Sequence, residues 1–490
     1  MAIRDKIISG SNGINFTKET DSSADWPSIA NSTYFRDVAD GLIHYKNSAG
    51  TVLEIYGASG LTYFTEAQNT TAPNATVPVD SLTAITATTN GDVAIVPKGS
   101  GAFTLAVADS LVAGGHKRGQ FATDLQTNRT FATQVASGNF SFIGAGRNNS
   151  ATAEYSIAMG LTSIASGTYA LAIGYNNTAN AEGTVALGFQ SSSTAICAVS
   201  IGQASSASGT DCVAIGKSNS ASGVQTIAIG KSCTASSTGS VALGYSNTSS
   251  GNLSYTFGSS CLASNANAIA MGNRAKATGE AAICLASYFY QDSTASGGNS
   301  TLVGCGTVAG SFALGLGFLV TTGGAQATAI GYSSNTFSTI GRVAIGGVAG
   351  GTGEAQKGII QYRQRTTDAT PTILTTNNAV AFNDNAGSQL ALQNQQVMRF
   401  KGSITAKQSG TTDIAVWDID GVIVRGANIA STVLTVSNVN VVTNIPLWVT
   451  PILAANLSTS VGGLMITVTG VVATNIQWFA VLDTVENIYA

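Results

Sequence analysis

Glycine returns every fourteen residues through the middle of this chain. Gly160, Gly174, Gly188, Gly202, Gly216, Gly230, Gly244, Gly258 and Gly272 are evenly spaced, and Ala286 takes the next place. A fixed period means one structural unit stacked on copies of itself, each unit burying its apolar face only against its neighbours.

Each marker glycine follows an alternating triplet, such as Ile157-Ala158-Met159, Leu171-Ala172-Ile173, Val213-Ala214-Ile215 and Val241-Ala242-Leu243. A period of two is a strand signal, with successive side chains on opposite faces. The pattern predicts that the large residues, one and three places before the glycine, point into a core. The small middle residues (Ala158, Ala172, Ala186, Ser200, Ala214, Ala228, Ala242, Ala270) would then form a flat outer surface. A second glycine seven places earlier (Gly167, Gly209, Gly223, Gly251, Gly279) reads as a second corner, so each coil holds two short strands and two turns. Coils stacked at about 4.8 Å would build a rod about 50 to 65 Å long. The flat small-residue face is expected to be covered by another copy of the chain, since an exposed strand array invites aggregation.

The phrase Ala-Ile-Gly, a polar run and Ala-Ser-Gly, at a step of fourteen over Ser156 to Gly346, resembles the head repeats of trimeric autotransporter adhesins of the YadA type. The resemblance implies a trimeric left-handed parallel β-roll. After Gly272 the comparable glycines read as Gly304, Gly315, Gly331 and Gly346, with Tyr288-Phe289-Tyr290 and Thr321-Thr322-Gly323-Gly324 as insertions. Insertions in a solenoid map to loops on one side, either contact loops or tolerated surface.

Charged residues are only 10% of the 490, with 22 basic and 25 acidic, and no basic patch for nucleic acid stands out. A rod coated with Ser, Thr, Asn and Gly fits this composition. The start, Met1-Ala2-Ile3-Arg4-Asp5-Lys6, lacks the apolar run of a secretory signal, and no run of about eighteen apolar residues occurs. This departs from the adhesin family, which has a secretion signal and a membrane barrel; the expectation is a virion appendage without membrane insertion, assembled in the host cytoplasm. Cys197, Cys212, Cys233, Cys261, Cys284 and Cys305 include no CxxC pair, so metal-ligand spacing is absent and they read as small apolar packers.

Residues 1–60 read as an attachment segment carrying a hairpin over Gly41 to Ile55, similar to units near the N-termini of bacteriophage structural proteins, with His44 on its surface. Residues 61–138 read as linker and shaft, extended from Thr65 to Thr89. The phrases from Gly91 to Phe103 and from Arg118 to Gly138 resemble predicted phage tail fibres. Pro97-Lys98-Gly99-Ser100-Gly101 lacks the phosphate-loop pattern. Residues 139–353 are the β-roll, and the alternating runs of 354–490 predict an antiparallel β-sandwich tip, jelly-roll-like.

Glycoside hydrolysis needs two carboxyl groups facing each other across a sugar. Between residues 151 and 350 the acids are Glu154, Glu182, Asp211, Glu280 and Asp292, scattered over different coils. Asp418 and Asp420 share a strand face, but read as solvated groups beside buried Trp417 and Ile419. Two histidines, His44 and His116, leave no Ser/His/Asp or Cys/His set. The expectation is therefore an all-β, non-enzymatic, homotrimeric phage tail fibre without cofactor or metal. It would join a tail, baseplate or other virion protein through its N-terminus and a host surface glycan or protein through its tip. Trp448 and Trp478 are the candidate receptor contacts, with buried core as the competing reading. A capsid head fibre and a polysaccharide-degrading tailspike are the alternatives.

Overall fold

The computed structural model describes residues 95–286, 291–346, 354–377, 388–445, 447–457 and 462–488, with residue 49 and short strands before residue 95. Residues 1–96 and 97–490 form two compact units. In the first, Thr33–Asp37, Ile43–Lys46 and Val52–Tyr56 pair antiparallel, so the expected hairpin is present. His44 is buried in it, which corrects the surface reading. The stretch expected as an extended linker also holds a strand pair, Phe64–Asn69 with Val79–Ala84. Its Thr-, Ala- and Asn-rich composition hides a ladder made by the backbone.

The second unit opens with a parallel solenoid. In its regular part a five-residue strand, such as Ile157–Leu161, alternates with a two-residue strand, such as Ile164–Ala165. Each pairs in register with its equivalent one coil on: Ile157 with Leu171, Gly160 with Gly174, Ile164 with Thr178.

The faces are opposite to those the alternation predicts. Ala158, Ala172, Ala186, Ala214, Ala228, Ala242 and Ala270 are fully buried inside the coil, while Ile157, Leu171, Val185 and their successors are only half-buried on the outside. A fourteen-residue coil has two short walls, and the lumen between them admits Ala, Ser, Thr and Cys but no ladder of Ile or Leu. Hydrophobicity named the more apolar face, and interior width decided which face is inside.

The marker glycines hold φ between 101 and 126° from Gly160 to Gly272. A Cβ at Gly230 would overlap the carbonyl oxygen of Gly244 in the next coil, so both conformation and close approach require glycine there. The second glycines do mark a corner, but the left-handed residue lies two places later, at Tyr169, Asp211, Gln225, Leu253 and Ala281. Gly167 is there for clearance, since a Cβ would meet the Ala181 carbonyl.

The solenoid begins earlier than residue 139. Phe103 pairs with Thr123, Thr123 with Phe142 and Phe142 with Ile157, all parallel. The marker glycine first appears as Gly146, stacked on Gly160; the wider coils before it lack one and hold polar filling: a buried Arg118–Asp124 pair at 2.8 Å, and Gln126 hydrogen-bonded to Asn149. Downstream, Gly304 stacks on Gly317, then Gly331 and Gly346. Gly315 instead takes the inward place, between Leu302 and Ala329, and Thr321–Thr322 continues the strand Leu314–Thr322 rather than forming an inserted loop. Tyr288 to Tyr290 lie outside the described residues.

The last coil hands its strand Val343–Gly346 antiparallel to Ala355–Thr366. That strand edges a sheet continuing through Ile476–Ile488, Gln396–Gln408, Ile414–Arg425 and Thr432–Ile445. A smaller antiparallel sheet (Pro371–Ile373, Gly463–Thr469, Leu390–Ala391, with Ile452–Asn456) faces it across one core holding Tyr362, Phe400, Trp417, Trp478, Leu390 and Ile466. The expected C-terminal antiparallel sandwich is present. At the junction buried Arg342 pairs with Glu486, whose other oxygen accepts from Gln356 and Gln396.

Candidate functional site

Three surfaces follow from this architecture. The first is the outer face of the five-residue strands. Ile157, Leu171, Val185, Val199, Val213 and Ile227 form one ridge in strict register, and Met159, Ile173, Leu187, Ile201, Ile215 and Ile229 a second. Both continue to Ile283 and Leu285. A lone chain leaves this apolar band half in water.

The second surface is a corner ladder that the glycine pattern conceals. Phe121, Phe140, Tyr155 and Tyr169 stack with ring centroids 5.1 to 5.2 Å apart and planes within 14° of parallel, all with φ from 55 to 58°. The wider early coils hide the spacing of its first two members. Inside the coils that follow, Asn177, Asn219 and Asn247 belong to a polar spine: Asn219 Nδ2 donates to the Ile215 and Gly230 carbonyls at 2.7 and 2.8 Å, and its Oδ1 accepts from Cys233 N–H at 2.9 Å. Ser191 and Ser205 fill the equivalent place with a hydroxyl on the next glycine carbonyl, and Cys233 with a thiol.

The cysteines are free, with only Cys197 exposed. Burial raises the thiols of Cys212 and Cys261, and pushes Cys284 to about 11.

The third surface is the sandwich end remote from the solenoid. Glu486 touches the last coil, and Gln477 lies nine residues back along the same strand, about 30 Å away at 3.3 Å per residue. There Arg365, Gln477, Lys407 and Ile414 sit side by side across four strands, with Arg363, Phe479, Thr405 and Val416 in the neighbouring row. Two adjoining depressions share Lys407 and Gln477. One, of about 270 Å³, is polar and reaches Arg365, Ser409 and Asn475; the other, of about 400 Å³, is floored by Ile414, Val416 and Phe479.

The two candidate tryptophans do not line this end. Trp478 stacks on Trp417 at 5.8 Å, donates from Nε1 to Thr366 Oγ1 at 2.9 Å, and lies against Trp448 at 6.2 Å; all three are buried. Asp418 and Asp420 point outward, accepting from Ser403 at 2.7 Å and Asn438 at 3.1 Å. Glu154 and Glu182 occupy the same corner two coils apart, about 10 Å at the strand spacing, and both are exposed to solvent. Asp292 is held below the usual carboxylate range by hydrogen bonds from Lys276 and Arg274.

Against known families, a model of the YadA head domain repeat, two copies long, matches residues 143–163, 165–191, 198–219, 207–232, 221–247, 235–252 and 263–283. This solenoid carries YadA head repeats. Such repeats are structural adhesin modules, and YadA heads are typically trimeric. No curated protein matches the chain. Among the described residues no helix is long and apolar enough to cross a membrane.

Proposed function

We propose that the chain is a homotrimeric bacteriophage fibre, joined to a tail or baseplate protein through residues 1–60 and holding the particle to the host cell surface through its C-terminal sandwich. The single observation that carries this reading is the pair of apolar ridges running the length of the YadA-head solenoid. Finishing the burial of each half-covered Ile, Leu or Val contributes about 1 kcal/mol, and the ridges repeat it at every coil. Three left-handed rolls packed ridge to ridge would cover the band. The contact uses large residues rather than the alanine row, which lies inside. A virion setting is supported by the tail-fibre-like phrases from Gly91 to Phe103 and Arg118 to Gly138. Attachment needs no turnover, and several weak tips on one particle multiply through effective concentration.

Light scattering should give three times the 49.4 kDa chain mass. Purified protein should adhere to some members of a panel of bacterial strains, and antibody labels in cryo-electron microscopy of particles should place the first fifty residues at the tail and the last hundred outermost. Labels over the capsid would make it a head fibre; a monomer would remove the trimer.

A further inference from the structure

We infer that the remote end of the C-terminal sandwich binds an acidic glycan, with Arg365 and Lys407 on a sugar carboxylate and Phe479 under the sugar's C–H face. The inference rests on the attachment reading and names what is attached to.

The argument starts from charge. Arg363, Arg365 and Lys407 stand on adjacent strands around Gln477 and Phe479, all exposed. None of the three enters an ion pair among the described residues, although Lys357 and Asp483 pair on this same sheet face at 3.5 Å. Asp413 lies in the adjoining turn, where its main-chain oxygen accepts from Gln408 N–H. Asp368, in the turn after Arg365, accepts from Thr370 N–H; three cations in the row against these two turn acids leave it net positive, which favours an anionic occupant, and guanidinium with ammonium suits a carboxylate.

Chemistry beyond charge selects a sugar. The polar depression adds the amides of Gln477 and Asn475 and the hydroxyl of Ser409, which can donate to and accept from sugar hydroxyls. Its neighbour supplies an aromatic ring and two aliphatic side chains. A free phosphate has no apolar face for Phe479 to cover, whereas a pyranose carries C–H groups on one side and polar groups at its rim. The combined space is shallow and open, as expected for one or two residues of a long polymer.

The test is calorimetry on the full-length protein with uronate and sialylated oligosaccharides, against a neutral glucan of equal length. Acidic oligomers should bind, more weakly as salt rises, and the glucan should not. R365A/K407A should weaken binding about tenfold or more, the worth of one charge-assisted contact, and F479A should also weaken it. All these side chains are exposed, so mass and thermal unfolding should stay as in the parent protein. If the fibre adheres to cells but binds no acidic oligomer, or if R365A/K407A binds like the parent, the inference fails while the attachment reading stands. If F479A lowers the assembled mass, the row is a contact between copies and the inference fails. A fibre that adheres to no strain removes both.

Discussion

Asn219 shows how much one side chain carries inside a narrow coil. Replacing it with alanine deletes three hydrogen bonds and leaves the Gly230 carbonyl and Cys233 N–H buried without their partner. Each orphan costs about 1 to 3 kcal/mol, so N219A should lower the urea midpoint clearly. N219S should recover part of the loss, because Ser191 and Ser205 already serve the equivalent carbonyl. The thiols give a second residue-scale test. Native protein at pH 8 should react with a thiol reagent at Cys197 alone, and at all six cysteines after unfolding. Burial favours the neutral thiol of Cys284, whose ionisation moves from 9.0 to about 11. The folded state therefore keeps a proton that the unfolded chain releases above pH 9. Stability that is complete below pH 9 should decline across pH 9 to 11, as the shift of the unfolding midpoint with pH would report. A flat profile over that window would mean the thiol is not shielded.

Within a coil, small and large residues have fixed sides, and this is where sequence reasoning went furthest and then inverted. The fourteen-residue step, the parallel register and the C-terminal sandwich were legible because glycine and alternation are written locally. The direction of the faces was not, because it depends on the distance between two walls that no single strand encodes. A214L tests the corrected assignment: an added branched chain in the lumen overpacks it by about 1 to 3 kcal/mol or more, so the melting temperature should fall. Outward placement of Ala214 would leave stability unchanged. The groove at the remote end was illegible for another reason, since Arg365, Lys407 and Gln477 come from three separated segments and meet only through strand order. The same holds for the joint between solenoid and sandwich. Removing Glu486 leaves Arg342, already buried with two nitrogens unpartnered, without its counter-charge. Breaking such a pair costs about 3 to 5 kcal/mol, so E486A should let the sandwich melt before the solenoid, visible as two calorimetric transitions.

For the whole molecule, the ridges make stability and assembly separable, and that separation decides the architecture. Inside the coil every inward residue touches its own chain, so lumen substitutions act on the fold whatever the oligomeric state. The ridges are different: Ile201 and Ile215 pair within the stack through their backbone, while their side chains stand half in water. Exchanging both for asparagine removes apolar area that only another copy could finish covering, at about 1 kcal/mol per residue per chain, and it puts amides where a dry contact would have to desolvate them. In an assembled trimer that penalty is met three times over. I201N/I215N should therefore keep a strand-rich circular dichroism spectrum at low temperature while light scattering shows dissociation toward the 49.4 kDa chain, and its melting temperature should become dependent on protein concentration. Unchanged mass in that variant would place the ridges in solvent and require another surface to hold the copies together.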